Sequence, residues 1–120
     1  MLTFEQLRTM VLSYPDTVET TSWEARSFKV NNKVILFWNP KYDAPVFKVD
    51  MPERDFLIEA DPETFFTTDH HRPYPLVLAR PEKVDIGWVR ANIERVWRAQ
   101  VLKKTLKIYD QSTARTSDNM

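Results

Sequence analysis

Two adjacent histidines, His70 and His71, follow Asp69, and these three residues form the one cluster in the sequence with metal-ligand side chains. Imidazole nitrogens and carboxylate oxygens are ligands that zinc accepts. Neighbouring residues of an extended segment point to opposite sides, however, so the two histidines cannot easily hold one ion. We therefore predict no metal site here, and we expect both histidines to lie at the surface or to pack within a loop.

Carboxylates are concentrated in residues 50–69, which carry seven acids and one base. Oxygen ligands of this kind suit calcium and magnesium. The spacing does not follow the calcium-binding loop of an EF-hand, and Glu53 and Asp55 are also explained as acids at the start of a helix. The sequence leaves open whether this segment binds cations.

Catalytic and cofactor chemistry find little support in the composition. The chain has no cysteine, which excludes disulfides, thiolate zinc sites and cysteine nucleophiles. Its one glycine, Gly87, cannot build the glycine-rich loops that bring backbone N–H groups up to a nucleotide phosphate. No spacing pairs a nucleophile with a base. We predict a protein that is not an enzyme and uses no cofactor, nucleotide cofactors included.

Basic residues form the second charged feature, although the net charge is zero. Residues 26–49 carry five bases and one acid, residues 86–109 carry six bases and one acid, and aromatic residues lie among them. Basic groups attract phosphates and aromatic rings stack on bases, which is typical of DNA binding. The isoelectric point near 6.7 is lower than that of a typical DNA-binding protein. The predicted contact residues are Arg26, Lys29, Lys33, Leu36, Trp38 and Lys48.

The elements that carry these residues can be predicted from apolar spacing and turn signals. Residues 3–13 form a helix that begins with a capping box at Thr3 and Gln6. Residues 17–49 read as four short strands in an antiparallel meander. A second helix, two further extended segments and a third helix that begins at Asp85 complete the domain. The apolar spacing continues beyond Gln100, either in the same helix or after a kink.

A hairpin at Asn31 and Asn32 suggests how the sheet is arranged, because asparagine tolerates the positive φ of a two-residue turn. In this register Phe28 pairs with Ile35, and Leu36 and Trp38 lie on the face opposite to Phe28. Strand 33–38 is then apolar on both faces, whereas a strand with one wet face should alternate. Either the C-terminal part of the chain covers the second face, or Leu36 and Trp38 form an exposed contact patch.

The length of 120 residues indicates one domain, which we assign to residues 1–110. The polar residues 111–120 are predicted to be a disordered tail. No apolar run approaches the roughly 18 residues of a membrane helix, and residues 1–20 do not resemble a signal peptide. We expect a cytoplasmic protein with no membrane partner.

The order of several short segments resembles the MmcQ/YjbR family. The segments are SYPDTVETTSW (residues 13–23), FKVNNKV (28–34), ADPETFF (60–66), YPLVLAR (74–80), KVD (83–85), VWR (96–98) and IYD (108–110). The resemblance implies a two-layer α+β fold in which helices back a curved antiparallel sheet, in the order helix, three to four strands, helix, one to two strands, helix. That arrangement is similar to the folds of secretion chaperones and frataxin.

Members of this family are often described as binding DNA through wing-like hairpins of the sheet, and the resemblance defines no catalytic residues. The chain departs from the family pattern at Asp16, where a turn glycine is usual, and at Ile86 and Gly87. Two functions follow as hypotheses. The protein binds DNA through the basic and aromatic sheet face, or it binds a protein partner or a second copy of itself through an apolar sheet face.

Overall fold

The computed structural model describes residues 1–22 and 25–118. Its helices are α1 (Phe4–Leu12), α2 (Met51–Ala60), α3 (Ile86–Gln100) and α4 (Lys103–Asp118). Its strands are β1 (Thr17–Ser22), β2 (Ala25–Val30), β3 (Lys33–Asn39), β4 (Ala44–Lys48), β5 (Phe65–Phe66) and β6 (Leu76–Ala79). The predicted α+β class and order of elements are confirmed. Within the described ranges, no helix is long and apolar enough to cross a membrane.

Helix starts follow from side chains that accept hydrogen bonds from free backbone N–H groups. Thr3 and Gln6 form the predicted capping box of α1. Asp50 caps α2 through the N–H of Glu53, and Asp85 caps α3 through the N–H of Trp88. The first turn of each of these helices is therefore stabilised by its own capping residue, and tertiary packing determines which helix face is buried.

The strands form one antiparallel sheet in the order β1-β2-β3-β4-β6-β5. Asn31 and Asn32 join β2 to β3 with φ of 50° and 65°, which confirms the predicted turn with two positive φ angles. The next two residue pairs, Val30 with Lys33 and Lys29 with Val34, also match the predicted register.

A β-bulge then changes the register of the hairpin. Phe28 pairs with Leu36, so Ile35 is an extra residue on β3, and the predicted pairing of Phe28 with Ile35 is wrong. Because paired residues share a face of the sheet, Leu36 turns to the same side as Phe28. Both Ile35 and Leu36 are buried, at 3% and 2% exposure. The bulge thus lets two successive apolar residues enter the core.

The core lies between this inner face of the sheet and helices α1 and α3. Its members include Leu7, Val11, Phe28, Leu36, Phe47, Val77, Val89, Ile93 and Trp97. Trp38 also belongs to the inner face, since it pairs with Arg26 and packs edge-on against Phe4 of α1 at 5.7 Å between ring centroids. The expectation that Leu36 and Trp38 form an open patch is therefore corrected.

The opposite side of the sheet, called the outer face here, is also partly covered. Ser27, Phe37, Val46 and Leu78 lie side by side on four strands, and Ser27, Val46 and Leu78 are buried. The His71 ring stacks on Phe37 with 6.3 Å between centroids. The segment between β5 and β6 thus covers part of the outer face, and the C-terminal segment that we expected there lies elsewhere.

The C-terminal part of the chain follows the kinked alternative. Val101 is extended (φ −69°, ψ 155°) and separates α3 from α4. The ring of Tyr109 in α4 packs on Trp97 with 4.8 Å between ring centroids. The Arg98 guanidinium binds the Asp110 carboxylate with 2.9 Å between nitrogen and oxygen. Helix α4 continues through residues 111–118, where we expected disorder, because no proline or glycine interrupts it and these contacts anchor its preceding turns. Residues 119–120 lie outside the described ranges.

Candidate functional site

Three of the predicted contact residues, Lys29, Lys33 and Lys48, come together at one end of the sheet and are called the lysine group below. Lys29 and Lys48 alternate with core residues of β2 and β4, so their side chains point to the outer face. Lys33 is exposed at the start of β3. Burial lowers the pKa of Lys48, and the nearby charge of Lys33 lowers it further. The group therefore holds two mutually repelling ammonium charges.

The ion pairs of the protein leave these lysines unpaired. Among the described residues, the basic partners of the ion pairs are Arg8, Arg26, Arg54, Arg72, Arg95 and Arg98. No lysine in that part of the chain pairs with a carboxylate at ion-pair distance. These six arginines thus serve the fold, whereas the lysine charges are available to an external anion.

The other three predicted contact residues do not join the lysine group. Arg26 binds Glu19 at 2.8 Å, and its guanidinium carbon lies 3.8 Å from the centroid of the Phe4 ring, so Arg26 is drawn to the helix side of the sheet. Leu36 is buried in the core. Trp38 is half-buried and donates its indole N–H to Asp43 at 2.8 Å. These three residues therefore stabilise the fold at the inner face.

The two basic segments of the chain adjoin at the hairpin turn. Asn31 donates its side-chain amide to the carbonyl oxygen of Gln100 at 3.4 Å, next to the start of α4. Thr105 of α4 donates to Asp16 at 2.7 Å, which holds the first turns of α4 beside β1. The exposed lysines of α4 are Lys103, Lys104 and Lys107. The turn that precedes Lys33 is thus next to a second source of positive charge.

The histidines lie at the other end of the outer face, in a feature that the sequence did not predict. An open cleft of about 490 Å³ lies between the β3–β4 connection and the turn that contains Thr68 and His71, and it is called the outer cleft. Both histidines line it, with their ring centroids 5.1 Å apart. The prediction that they point to opposite sides is wrong, because the N–H groups of His71 and Arg72 bond to the Thr68 carbonyl oxygen in a tight turn.

His71 is fixed in this cleft by its neighbours. The side chain is 4% exposed, and its Nδ1 lies 2.6 Å from the Thr68 hydroxyl oxygen. That oxygen accepts from the backbone N–H of His71, and we assign its own proton to the bond with Nδ1, which places the ring proton of neutral His71 on Nε2. Burial lowers the pKa of His71, and the charge of His70 lowers it further. His71 is therefore held in the neutral form.

Three carboxylates of the acidic segment 50–69 have structural partners. Asp69 binds Arg72 at 2.7 Å, Glu53 binds Arg95 at 3.7 Å, and Asp50 caps α2. Within those ranges, no group of three or more histidine, cysteine or acidic residues is placed to hold a metal ion.

The chain was compared with known proteins by family, by sequence and by structure. Searches of curated proteins and of solved structures give no match to it. A family model described as YjbR matches residues 12–99, which is well over half of the chain and extends from the end of α1 to the last turn of α3. The matched region contains the whole sheet and the lysine group. The chain therefore belongs to the YjbR family, as the resemblance of its segments predicted.

Proposed function

We propose that this YjbR-family protein binds DNA in the cytoplasm through the lysine group, and that it does so without enzymatic activity. The observation that carries the proposal is the proximity of Lys33 and Lys48. Their like charges oppose each other, and neither pairs with a carboxylate in the part of the chain that the structure describes. A DNA phosphate near both ammonium groups removes that repulsion, because it supplies the missing counter-charge.

The mode of binding follows from the side chains at this end of the sheet. Lysine ammonium groups contact phosphate as point charges and do not read bases as arginine does in bidentate contacts. The neighbouring lysines of α4 extend the positive surface beyond the hairpin turn. We therefore propose binding that depends on phosphate charge and DNA shape, with little preference for base sequence.

The alternative hypothesis of a partner-binding sheet face loses the residues on which it rested. Leu36 is buried and Trp38 packs on Phe4, so neither offers an open apolar surface to a protein or to a second copy of the chain. Salt dependence distinguishes the two hypotheses, since apolar association responds weakly to salt and phosphate binding responds steeply.

The test measures fluorescence anisotropy of labelled duplex and single-stranded DNA with the whole protein over a range of salt concentrations. We expect log K to fall linearly with log salt, with a slope of about −0.9 per phosphate contact on duplex DNA. Lys33→Gln should weaken binding to all sequences and reduce the size of the slope by about 1. Lys83→Gln removes an exposed lysine outside the lysine group and serves as the matched control.

Two results would contradict the proposal. One is the absence of any DNA binding by the folded protein at low salt. The other is an equal loss of affinity in Lys33→Gln and Lys83→Gln, since DNA would then be attracted by general charge without a defined site. If the chain instead binds a protein partner with an affinity that does not change with salt concentration, the partner hypothesis is favoured.

A further inference from the structure

The outer cleft is remote from the lysine group and has its own set of hydrogen-bond donors. Lys33 begins β3 and Asn39 ends it, so about 20 Å of strand separates the two regions. The cleft volume of about 490 Å³ lies within the range of small-molecule sites. Asn39, Lys41, Tyr42 and His71 determine the chemistry of the cleft.

Asn39 presents its amide N–H₂ group to the surroundings. Its Oδ1 accepts from the backbone N–H groups of Lys41 at 2.9 Å and Tyr42 at 3.0 Å. Because two donors converge on this atom, the amide orientation is fixed with the oxygen toward the backbone. Nδ2 has no hydrogen-bond partner among the residues that the structure describes, and Asn39 lines the cleft. The amide therefore provides donors only.

His71 provides a second donor of the same kind. The residue is more than nine-tenths buried, its Nδ1 is occupied by Thr68, and its Nε2 has no partner within residues 1–22 and 25–118. Every buried side-chain nitrogen and oxygen of the described residues has a hydrogen-bond partner, so the unpaired Nε2 is an atom that solvent can reach. Because His71 lines the outer cleft, a molecule in the cleft can accept from Nε2.

The charges around the cleft favour an anion. The Lys41 ammonium lies 5.5 Å from the centroid of the Tyr42 ring and pairs with no carboxylate in the described ranges. His70 also lines the cleft, and Asp69, which is the acid among the described lining residues, binds Arg72 at 2.7 Å. Tyr42 adds an exposed ring that stands edge-on to Phe66. The lining thus combines several donors, one free cation and an aromatic wall.

We propose that the outer cleft binds a small organic anion in which a phosphate or carboxylate group is attached to a flat ring. The anionic group accepts from Nδ2 of Asn39 and Nε2 of His71 and lies near the Lys41 ammonium. The ring packs on Tyr42. The site uses none of the residues of the lysine group, so it goes beyond DNA binding and does not depend on it.

The test is a titration of the whole ¹⁵N-labelled protein with phenyl phosphate, benzoate and inorganic phosphate, followed by NMR. We expect saturable shifts in residues 39–42 and 68–71, and tighter binding of phenyl phosphate than of inorganic phosphate because the ring adds contact with Tyr42. The order of phenyl phosphate and benzoate identifies which anionic group the cleft prefers.

Asn39→Asp is the sharpest variant, since it keeps the oxygen that holds the loop and replaces the N–H₂ donor by a negative oxygen. We expect it to weaken binding by at least about ten-fold, because a donor to a charged acceptor is lost and repulsion is added. Asn32→Asp, at the exposed hairpin turn, makes the same chemical change outside the cleft and should leave affinity unchanged. His71→Phe and Lys41→Gln should each weaken binding by about three-fold or more.

Shifts that do not saturate, or that lie outside residues 39–42 and 68–71, would overturn the proposal. Equal losses in Asn39→Asp and Asn32→Asp would do the same. Lys33→Gln separates this proposal from DNA binding, since it should weaken DNA binding and leave phenyl phosphate binding unchanged. If His71→Phe does not fold, Asn39→Asp and Lys41→Gln decide the outcome, because both residues lie in the β3–β4 connection and its border outside the core.

Discussion

Phe28 and Leu36 are paired across the β2–β3 hairpin and point together into the core. This pairing exists because Ile35 is bulged out of the ladder, which shifts the register by one residue. A shift of one residue exchanges the two faces of a strand. The bulge therefore decides that Leu36 and Trp38 support the fold at the inner face, on the side of the sheet opposite to Lys29 and Lys48.

Leu36→Ala should test this assignment through stability. Because Leu36 is 2% exposed within the core, truncation leaves a cavity, and we expect the free energy of unfolding to fall by about 2–5 kcal/mol. Urea denaturation followed by tryptophan fluorescence measures the change. Val34→Ala, at a half-buried position of the same strand, is the control and should cost less. A Leu36→Ala protein of unchanged stability would contradict the core position of Leu36.

Local signals in the sequence are enough to predict most of the elements of this fold. Thr3, Asp50 and Asp85 each cap a helix through their own side chain, and Asn31 and Asn32 define the hairpin turn. These features depend on neighbours within a few residues. The bulge at Ile35 is different, because three successive apolar residues on β3 fit either register and only packing against α1 and α3 selects one of them.

The candidate sites were predictable only in part for the same reason. Lys29, Lys33 and Lys48 could be found because strand alternation and the hairpin turn place them. The outer cleft could not be found, since it requires a turn at Thr68 to meet the β3–β4 connection about thirty residues earlier in the chain. The pair of histidines was a usable signal, but the assumption of an extended segment separated their side chains.

Asn32→Val should destabilise the hairpin that carries Lys33. Asn32 has a φ of 65°, which a β-branched side chain adopts only with strain, and we expect a loss of about 1–2 kcal/mol in the free energy of unfolding. Thermal or urea denaturation measures it. Asn32→Gly, which suits the same turn, should be neutral or stabilising. Equal losses in the two variants would indicate that the side chain, and not the backbone angle, matters at this position.

His71 should make the protein less stable in mild acid. Its folded-state pKa is lowered below the ordinary 6.5, so between these two values the unfolded chain binds more protons than the folded one. The contribution of neutral His71 to the free energy of unfolding is therefore fully present above pH 6.5 and is lost as the pH falls through the folded-state pKa. Urea midpoints measured between pH 7.5 and pH 5 should decrease, and the decrease should be smaller in His71→Phe.

His70→Gln provides the control for the cause of that shift. The charge of His70 is the second contribution to the lowered pKa of His71, after burial. Removing it should raise the pKa of His71 toward its ordinary value, as followed by NMR of the imidazole, and should reduce the loss of stability in acid. A lower His71 pKa in this variant would contradict the proximity of the two rings.

Lys48→Gln should stabilise the fold and weaken DNA binding at the same time. The folded-state pKa of Lys48 is lowered by burial and by Lys33, so the ammonium form is less favourable in the folded protein than in the unfolded chain. The unfolded chain binds more protons as the pH rises from the folded-state pKa toward 10.5, and stability therefore rises over that range. Because the variant removes one of two repelling charges on neighbouring strands, we expect its free energy of unfolding at pH 7 to rise by roughly 0.2–1 kcal/mol.

Urea denaturation at pH 7 and DNA anisotropy on the same samples measure both effects, with Lys83→Gln as the control for loss of a single exposed lysine. The variant should also lose the rise in stability on approach to pH 10.5, because the titrating group is gone. If the variant gains stability but keeps full DNA affinity, the repelled charge of Lys48 does not contribute to DNA binding. The phosphate contacts would then be made by other lysines. Opposite changes in stability and affinity would show that the charges at Lys33 and Lys48 are kept for a ligand at a cost to the fold.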